Sequence, residues 1–224
     1  MSFKIKICGV TNPTDALGAF GAGADALGLN FYRGSKRFIE RDTARQIVDA
    51  VGNRAEMVGL FVNETATTIC DVARDVSIRT IQLHGDQWPD STQLLLGFGS
   101  DSVSVIRAHA FGPRGMDALH ASMFFPSGMA VDALLVDAAV SGMHGGTGQT
   151  IDWSRLADYE QAIGKMPLIL AGGLTPDNVA EAIRIVRPNA VDVASGVESA
   201  PGQKDSAKMR DFVAAARAAF AEFT

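Results

Sequence analysis

Aliphatic and β-branched runs recur along the chain at intervals of roughly 20–35 residues, the length of a strand plus a crossover helix. Eight runs stand out, at 4–8, 26–31, 57–62, 80–84, 103–109, 133–137, 167–171 and 190–194. Several are almost continuous in Val, Ile and Leu, as parallel strands buried on both faces should be. Helical periodicity fills the intervals at 13–23, 41–51, 64–75, 88–96, 152–163, 176–186 and 206–223. Pro13 follows Thr11-Asn12 as a first-turn proline. Thr175-Pro176 and Asp205 are helix-start signals. The fifth interval, 112–122, contains Pro113 and Gly115, which predicts a short or irregular helix.

Strands alternating with helices imply a parallel sheet and an α/β fold. Closure into one (β/α)8 barrel, a TIM barrel spanning residues 1–224, is the simplest architecture because it leaves no exposed edge. An open doubly wound sheet is the structural alternative. No linker, low-complexity run or second domain interrupts the pattern.

In such a barrel, chemistry gathers at the C-terminal ends of the strands and in the loops that follow. Alternation along the first strand puts Lys4, Lys6 and Cys8 on one face and Ile5 and Ile7 on the other. Cys8 then points into the barrel mouth. From position alone, a small core cysteine explains Cys8 equally well. Cys70 lies in a helical pattern and reads as core. Gln82 and His84 share a face at the end of the fourth strand. His109 closes the fifth and is the weaker candidate. His120 and His144 read as solvated.

Asp137 closes an apolar strand, where a carboxylate is costly to bury unless it has partners or a task. A loop-capping role is the plainer alternative. The run Gly145-Gly146-Thr147-Gly148 follows, and lacks the lysine of a P-loop. Glycines end the seventh and eighth strands, at Gly172-Gly173 and Ser195-Gly196. They allow backbone N–H groups close to an anion, in the two loops where barrels often bind phosphate. Asp192 shares a face with Ala194. In a closed barrel it can pair with Lys6, since buried charges need such pairing.

The formal net charge of −5, with no basic run, argues against nucleic acid as a partner. An anionic substrate must then be held by a local site rather than by the overall field. Two cysteines, Cys8 and Cys70, form neither a CxxC pair nor a disulfide scaffold. Lys4 and Lys6 interrupt the first apolar stretch, so no secretory leader is expected. No apolar run approaches the ~20 residues of a membrane span. A cytoplasmic protein without membrane association is expected, as monomer or homodimer.

Taken together, the chain resembles phosphoribosylanthranilate isomerase over essentially its whole length. The resemblance rests on Lys6-Ile7-Cys8-Gly9-Val10-Thr11, Gly23-Ala24-Asp25-Ala26-Leu27-Gly28, Ser35-Lys36-Arg37-Phe38 and Val58-Gly59-Leu60-Phe61-Val62. It continues through Ile81-Gln82-Leu83-His84-Gly85, Gly145–Gly148, Ala171-Gly172-Gly173-Leu174 and Val191–Glu198. The glycine segments are common to many phosphate-binding barrels. The cysteine strand end, Gln82-Leu83-His84-Gly85 and the position of Asp137 are far more specific. Lys36 stands where the family often has Pro, Gln149 where it usually has Lys, and segment 138–144 is longer than usual.

The resemblance implies an Amadori rearrangement in tryptophan biosynthesis, with Asp137 as general acid and Cys8 as general base. It implies a phosphosugar substrate, with no cofactor and no metal. Its phosphate is expected on Gly172, Gly173, Ser195 and Gly196. The anthranilate end is expected near Arg37, Gln82 and His84. Asp137 must be desolvated to keep its proton at neutral pH, and cationic charge such as Lys6 is expected to favour the Cys8 thiolate. The loops after the first and sixth strands are expected to close over substrate. A metal-dependent phosphosugar epimerase is the rival enzyme, poorly supplied with only His84 and His109 at strand ends. The aminoaldose isomerase of histidine biosynthesis would use two acids and a two-ended phosphate site. A non-catalytic phosphate-ligand binder would require neither Cys8 nor Asp137.

Overall fold

A computed structural model describes residues 3–99, 102–111, 115–128, 130–138 and 153–223. Eight parallel strands close in sequence order into a barrel. They are β1 (Ile5–Cys8), β2 (Ala26–Asn30), β3 (Glu56–Val62), β4 (Thr80–His84), β5 (Ser104–Phe111), β6 (Ala133–Ala138), β7 (Leu168–Leu170) and β8 (Ala190–Val193). Closure is made by β8 against β1, with Lys6 opposite Asp192. The helices α1 (Pro13–Ala22), α2 (Arg41–Val51), α3 (Ala66–Val76) and α4 (Ser91–Phe98) follow the first four strands. The later helices are α5 (Gly115–Ala121), α6 (Tyr159–Ile163), α7 (Val179–Val186) and α8 (Ser206–Ala221).

The predicted elements occur with shifted ends. The fifth helix is short, as Pro113 and Gly115 suggest. The sixth differs more: a 3-10 turn over Trp153–Leu156 precedes α6, and the two do not merge. The seventh begins at Val179 rather than at Pro176. Asn178 explains this, because its side chain accepts from the Thr175 backbone N–H at 2.8 Å and holds 175–178 as a turn. Local caps start other helices, with Asn12 accepting from Asp15 N–H and Asp205 accepting from Ala207 and Lys208 N–H. A short hairpin, β9 (Glu198–Ala200) with β10 (Gln203–Lys204), lies between β8 and α8.

Strand alternation divides the apolar side chains between two cores. Ile5, Ile7, Leu27, Leu29, Ile81, Leu134 and Val191 face the helices in the large outer core. Ala26, Val58, Ile106, Ala133, Leu135, Ile169 and Ala190 fill the barrel interior, joined by Phe3. Among the described residues no helix is long and apolar enough to cross a membrane.

Candidate active site

The inward faces of the strand ends build a cavity of about 590 Å³ at the C-terminal mouth of the barrel. Cys8, Gln82, His84 and Asp137 line it, as do Arg37, Asp192 and Ser195. Cys8 is only 6% exposed and packs with Leu60, Val62 and Ala194. Gly28, opposite Cys8 across the β1–β2 pair, makes room for it. A Cβ on Gly28 would lie 2.6 Å from the Cys8 sulfur, closer than any side chain tolerates.

Lys6 sits one layer below Cys8, fully buried. Its ammonium donates to Asp192 Oδ1 at 2.8 Å and to Gln82 Oε1 at 2.9 Å, across the barrel from β1 to β4. The Lys6–Asp192 pair read from strand closure is therefore present. Gln82 passes the polar chain on to His84 through an Nε2–Nε2 contact. Burial works against the Lys6 charge, but Asp192 and Cys8 together hold its pKa above the ordinary value.

Lys6 favours the Cys8 thiolate as expected, and Lys204 joins it, but burial works the other way. Burial pushes the Cys8 pKa up, and Asp192 adds to that; Lys6 and Lys204 pull it down without reversing the shift. Desolvation thus outweighs the two ammonium groups in setting the direction of the shift.

A second charged group closes the same side of the mouth. Arg37, in the loop after β2, donates to both carboxylate oxygens of Glu198 at 2.7 Å each. Lys204, on β10, donates to Glu198 Oε1 at 2.9 Å, to the Cys8 carbonyl at 2.7 Å and to the Ala194 carbonyl at 3.0 Å. Burial pushes Glu198 up, yet the two cations hold it below the usual carboxylate range. Lys204 was not singled out in the sequence, and Glu198 was quoted without a task. Residue 204 lies in a two-residue strand, too short for any periodic signal.

A smaller cleft of about 40 Å³ adjoins the cavity, lined by Gly172, Gly173, Ser195, Asp192 and Asp137 among others. Gly172 and Gly173 take φ of 87° and 68°, where side chains are strained. Gly196 packs against the loop after β7: a Cβ there would fall 1.8 Å from the Leu174 carbonyl oxygen. Asn178 ties this loop down by donating to the Gly173 carbonyl at 3.0 Å. Of the sequence candidates, Cys8, Arg37, Gln82, His84, Asp137 and Ser195 meet in one cavity. Gly172 and Gly173 join Asp137 and Ser195 in the adjoining cleft. His109 is separate, on the outward face of β5 with its Nδ1 3.0 Å from Ser122 Oγ. Gly145–Gly148, His144, Gln149 and most of segment 138–144 lie outside the described residues.

Residues 5–215 match the family described as N-(5'phosphoribosyl)anthranilate (PRA) isomerase. An N-(5'-phosphoribosyl)anthranilate isomerase of Acidithiobacillus ferrooxidans is 45% identical over 216 residues, covering 96% of this chain and 97% of that one. The crystal structure of phosphoribosyl anthranilate isomerase from Thermotoga maritima superposes with a TM-score of 0.82 at 38% identity, covering 96% of this chain and 99% of the other. A solved phosphoribosyl anthranilate isomerase in complex with reduced 1-(o-carboxyphenylamino)-1-deoxyribulose 5-phosphate gives 0.79 at 36% identity, with the same coverage.

Proposed function

The chain belongs to the N-(5'-phosphoribosyl)anthranilate isomerase family, and from that premise we propose that it converts N-(5'-phosphoribosyl)anthranilate to 1-(2-carboxyphenylamino)-1-deoxyribulose 5-phosphate in tryptophan biosynthesis. The observation that carries this reading is the meeting of Cys8 and Asp137 in one cavity that shares Asp137 and Ser195 with an adjoining glycine-lined cleft. The reduced aminoketose phosphate held by a relative has a phosphate at one end and a carboxyphenyl group at the other. Its two ends match the two polar borders of this mouth.

The phosphate is assigned to Gly172, Gly173, Ser195 and Gly196, where backbone N–H groups and a hydroxyl can donate to it. Arg37 takes the anthranilate carboxylate by charge-assisted hydrogen bonds, and Gln82 and His84 line that end. Asp137 borders both the cavity and the cleft, and serves as general acid. It protonates the furanose oxygen, the C1–O bond breaks, and the anilino nitrogen lone pair forms an iminium. Cys8 takes the C2 proton in its thiolate form, which the Lys6 and Lys204 ammonium groups favour and which arises by loss of the thiol proton to solvent before this step; the electron pair left behind moves into the C1–C2 bond to give an enolamine. Tautomerisation delivers the ketone. The anchored phosphate orients the reacting carbons between the two groups.

The test is fluorescence-monitored turnover of N-(5'-phosphoribosyl)anthranilate by Cys8→Ala and Asp137→Ala. Each is expected to lower kcat by about 10²–10⁴-fold, with unfolding curves close to the parent's. Near-parental rates in either variant overturn the assignment of that residue. Absence of turnover by the parent protein overturns the function itself.

A further inference from the structure

Arg37 is expected to receive the substrate carboxylate, but its guanidinium is already bonded side-on to Glu198, through Nε and Nη2. An arginine–glutamate pair is neutral as a unit and has little electrostatic reason to attract another anion. A third member changes the count. Lys204 shares Glu198 Oε1 with Arg37; Arg37 and Glu198 line the cavity, and Lys204 is buried behind them. Two cations and one carboxylate leave one unit of positive charge.

Lys204 is built to stay charged. Its side chain has no exposed surface, and its nitrogen has three acceptors: the carbonyls of Cys8 and Ala194 and the carboxylate of Glu198. Three acceptors use the three N–H bonds of an ammonium; a neutral amine has only two. Burial, with a smaller push from Arg37, holds the Lys204 pKa below the ordinary lysine value; Glu198 and Cys8 offset only part of that, and the charge rests on the three acceptors around the nitrogen. The side-on bond to Glu198 also leaves the Nη1 edge of Arg37 for a second planar partner, since a guanidinium has five donors and two are used.

Resting on the isomerase reading, we propose that Lys204 is the positioning residue of the aryl-carboxylate subsite. It neutralises Glu198, so that Arg37 keeps a net attraction for the substrate carboxylate, and it fixes Glu198 so that Arg37 presents its outer edge. The same ammonium ties the end of β1 to the end of β8 through Cys8 and Ala194. Lys204 itself need not touch substrate.

The experiment compares two ligands by calorimetric titration: reduced 1-(o-carboxyphenylamino)-1-deoxyribulose 5-phosphate, and the same molecule with a phenyl in place of the carboxyphenyl group. In Lys204→Met the carboxylate ligand is expected to bind about 10–100-fold more weakly, because Glu198 then cancels the Arg37 charge and the substrate carboxylate loses its net attraction. The phenyl ligand is expected to bind within about threefold of the parent's value, well short of one decade. Lys204→Arg is expected to recover most of the loss, and it serves as the folded control if the methionine variant does not fold. An equal loss for both ligands, or none for either, overturns the proposal. So does a Lys204→Arg variant that folds but discriminates the ligands no better than Lys204→Met. If the parent protein binds neither ligand, the isomerase reading itself has failed.

Discussion

The two ends of the barrel interior are lined by the same eight strands and carry opposite chemistry. Towards the N-terminal end the inward residues are small or aliphatic, among them Ala26, Val58, Ile106, Ala133, Ile169 and Ala190, with Phe3 beside them. Towards the C-terminal end the alternation continues into Lys6, Cys8, Gln82, His84, Asp137 and Asp192. One end is close-packed and mostly apolar, with the buried Thr80 hydroxyl bonded to Glu56, and its stability comes from removing apolar surface from water. The other keeps a cavity open and lines it with groups that are costly to bury unless each is matched. The difference shows where the chain gives up packing energy for chemistry, and it can be broken from either side.

The largest effect on folding is expected at the mouth. In Lys6→Met, Asp192 stays buried and loses the ammonium 2.8 Å away. Breaking a buried pair on one side costs about 3–5 kcal/mol, read as a lower denaturant midpoint. The variant Lys6→Met/Asp192→Leu should recover much of that loss, because it removes the stranded carboxylate as well. If the single variant is as stable as the parent, the pair does not carry the local electrostatics.

At the closed end Ile169→Ala is expected to cost about 2–5 kcal/mol, from lost transfer energy and the cavity left behind. Ile169 has no exposed surface. The folded fraction should turn over substrate at nearly the parental rate, since the mouth residues keep their partners. A large loss of kcat with unchanged stability would mean that the two ends are not separable.

These contrasts were legible in the sequence where alternation alone decides direction. Ile5 and Ile7 against Lys6 and Cys8 fix the inward face of β1, and closure of β8 onto β1 then predicts the Lys6–Asp192 contact. The Arg37–Glu198–Lys204 cluster was not legible. Arg37, in the loop after β2, and Glu198, at the start of the three-residue β9, stand 161 positions apart, and no period relates them. The hairpin carrying Lys204 is too short for strand patterning. The late start of α7 was hidden for a related reason: Thr175-Pro176 is a sound local start, but Asn178 captures the Thr175 N–H and spends those residues on a turn. The loop after β6, which follows Asp137 directly, lies outside the described residues.

A smaller effect separates the ends by pH. Burial raises the Cys8 pKa, so the folded chain holds the thiol proton above the ordinary value of 9.0 where the unfolded chain releases it. Stability from this group is present below pH 9.0 and declines as pH rises through the folded value. Cys8→Ser is therefore expected to lose less stability than the parent between about pH 9 and 10.5, measured by urea midpoints. Cys70 is also raised by burial and stays in both proteins, so the difference reports Cys8 together with its coupling to Lys204, whose pKa burial lowers. Lys6, whose pKa is raised, declines only above its own ordinary value of 10.5, beyond that window. Parallel curves for parent and variant would place Cys8 in contact with water.

The smallest effect is expected where a charge pair is well made but exposed. Arg184, in the last turn of α7, reaches Glu222 beyond α8 with contacts of 2.7, 2.9 and 3.2 Å. By geometry it rivals Arg37 on Glu198. Both partners are open to water, with side chains 51% and 44% exposed. Solvent and salt screen such a pair, and holding two long side chains costs rotamer entropy. Arg184→Ala should therefore leave the denaturant midpoint within experimental scatter and turnover unchanged. A clear loss there would show that bond geometry, rather than burial, decides which charges matter, and would remove the physical basis for setting the mouth apart from the rest of the barrel.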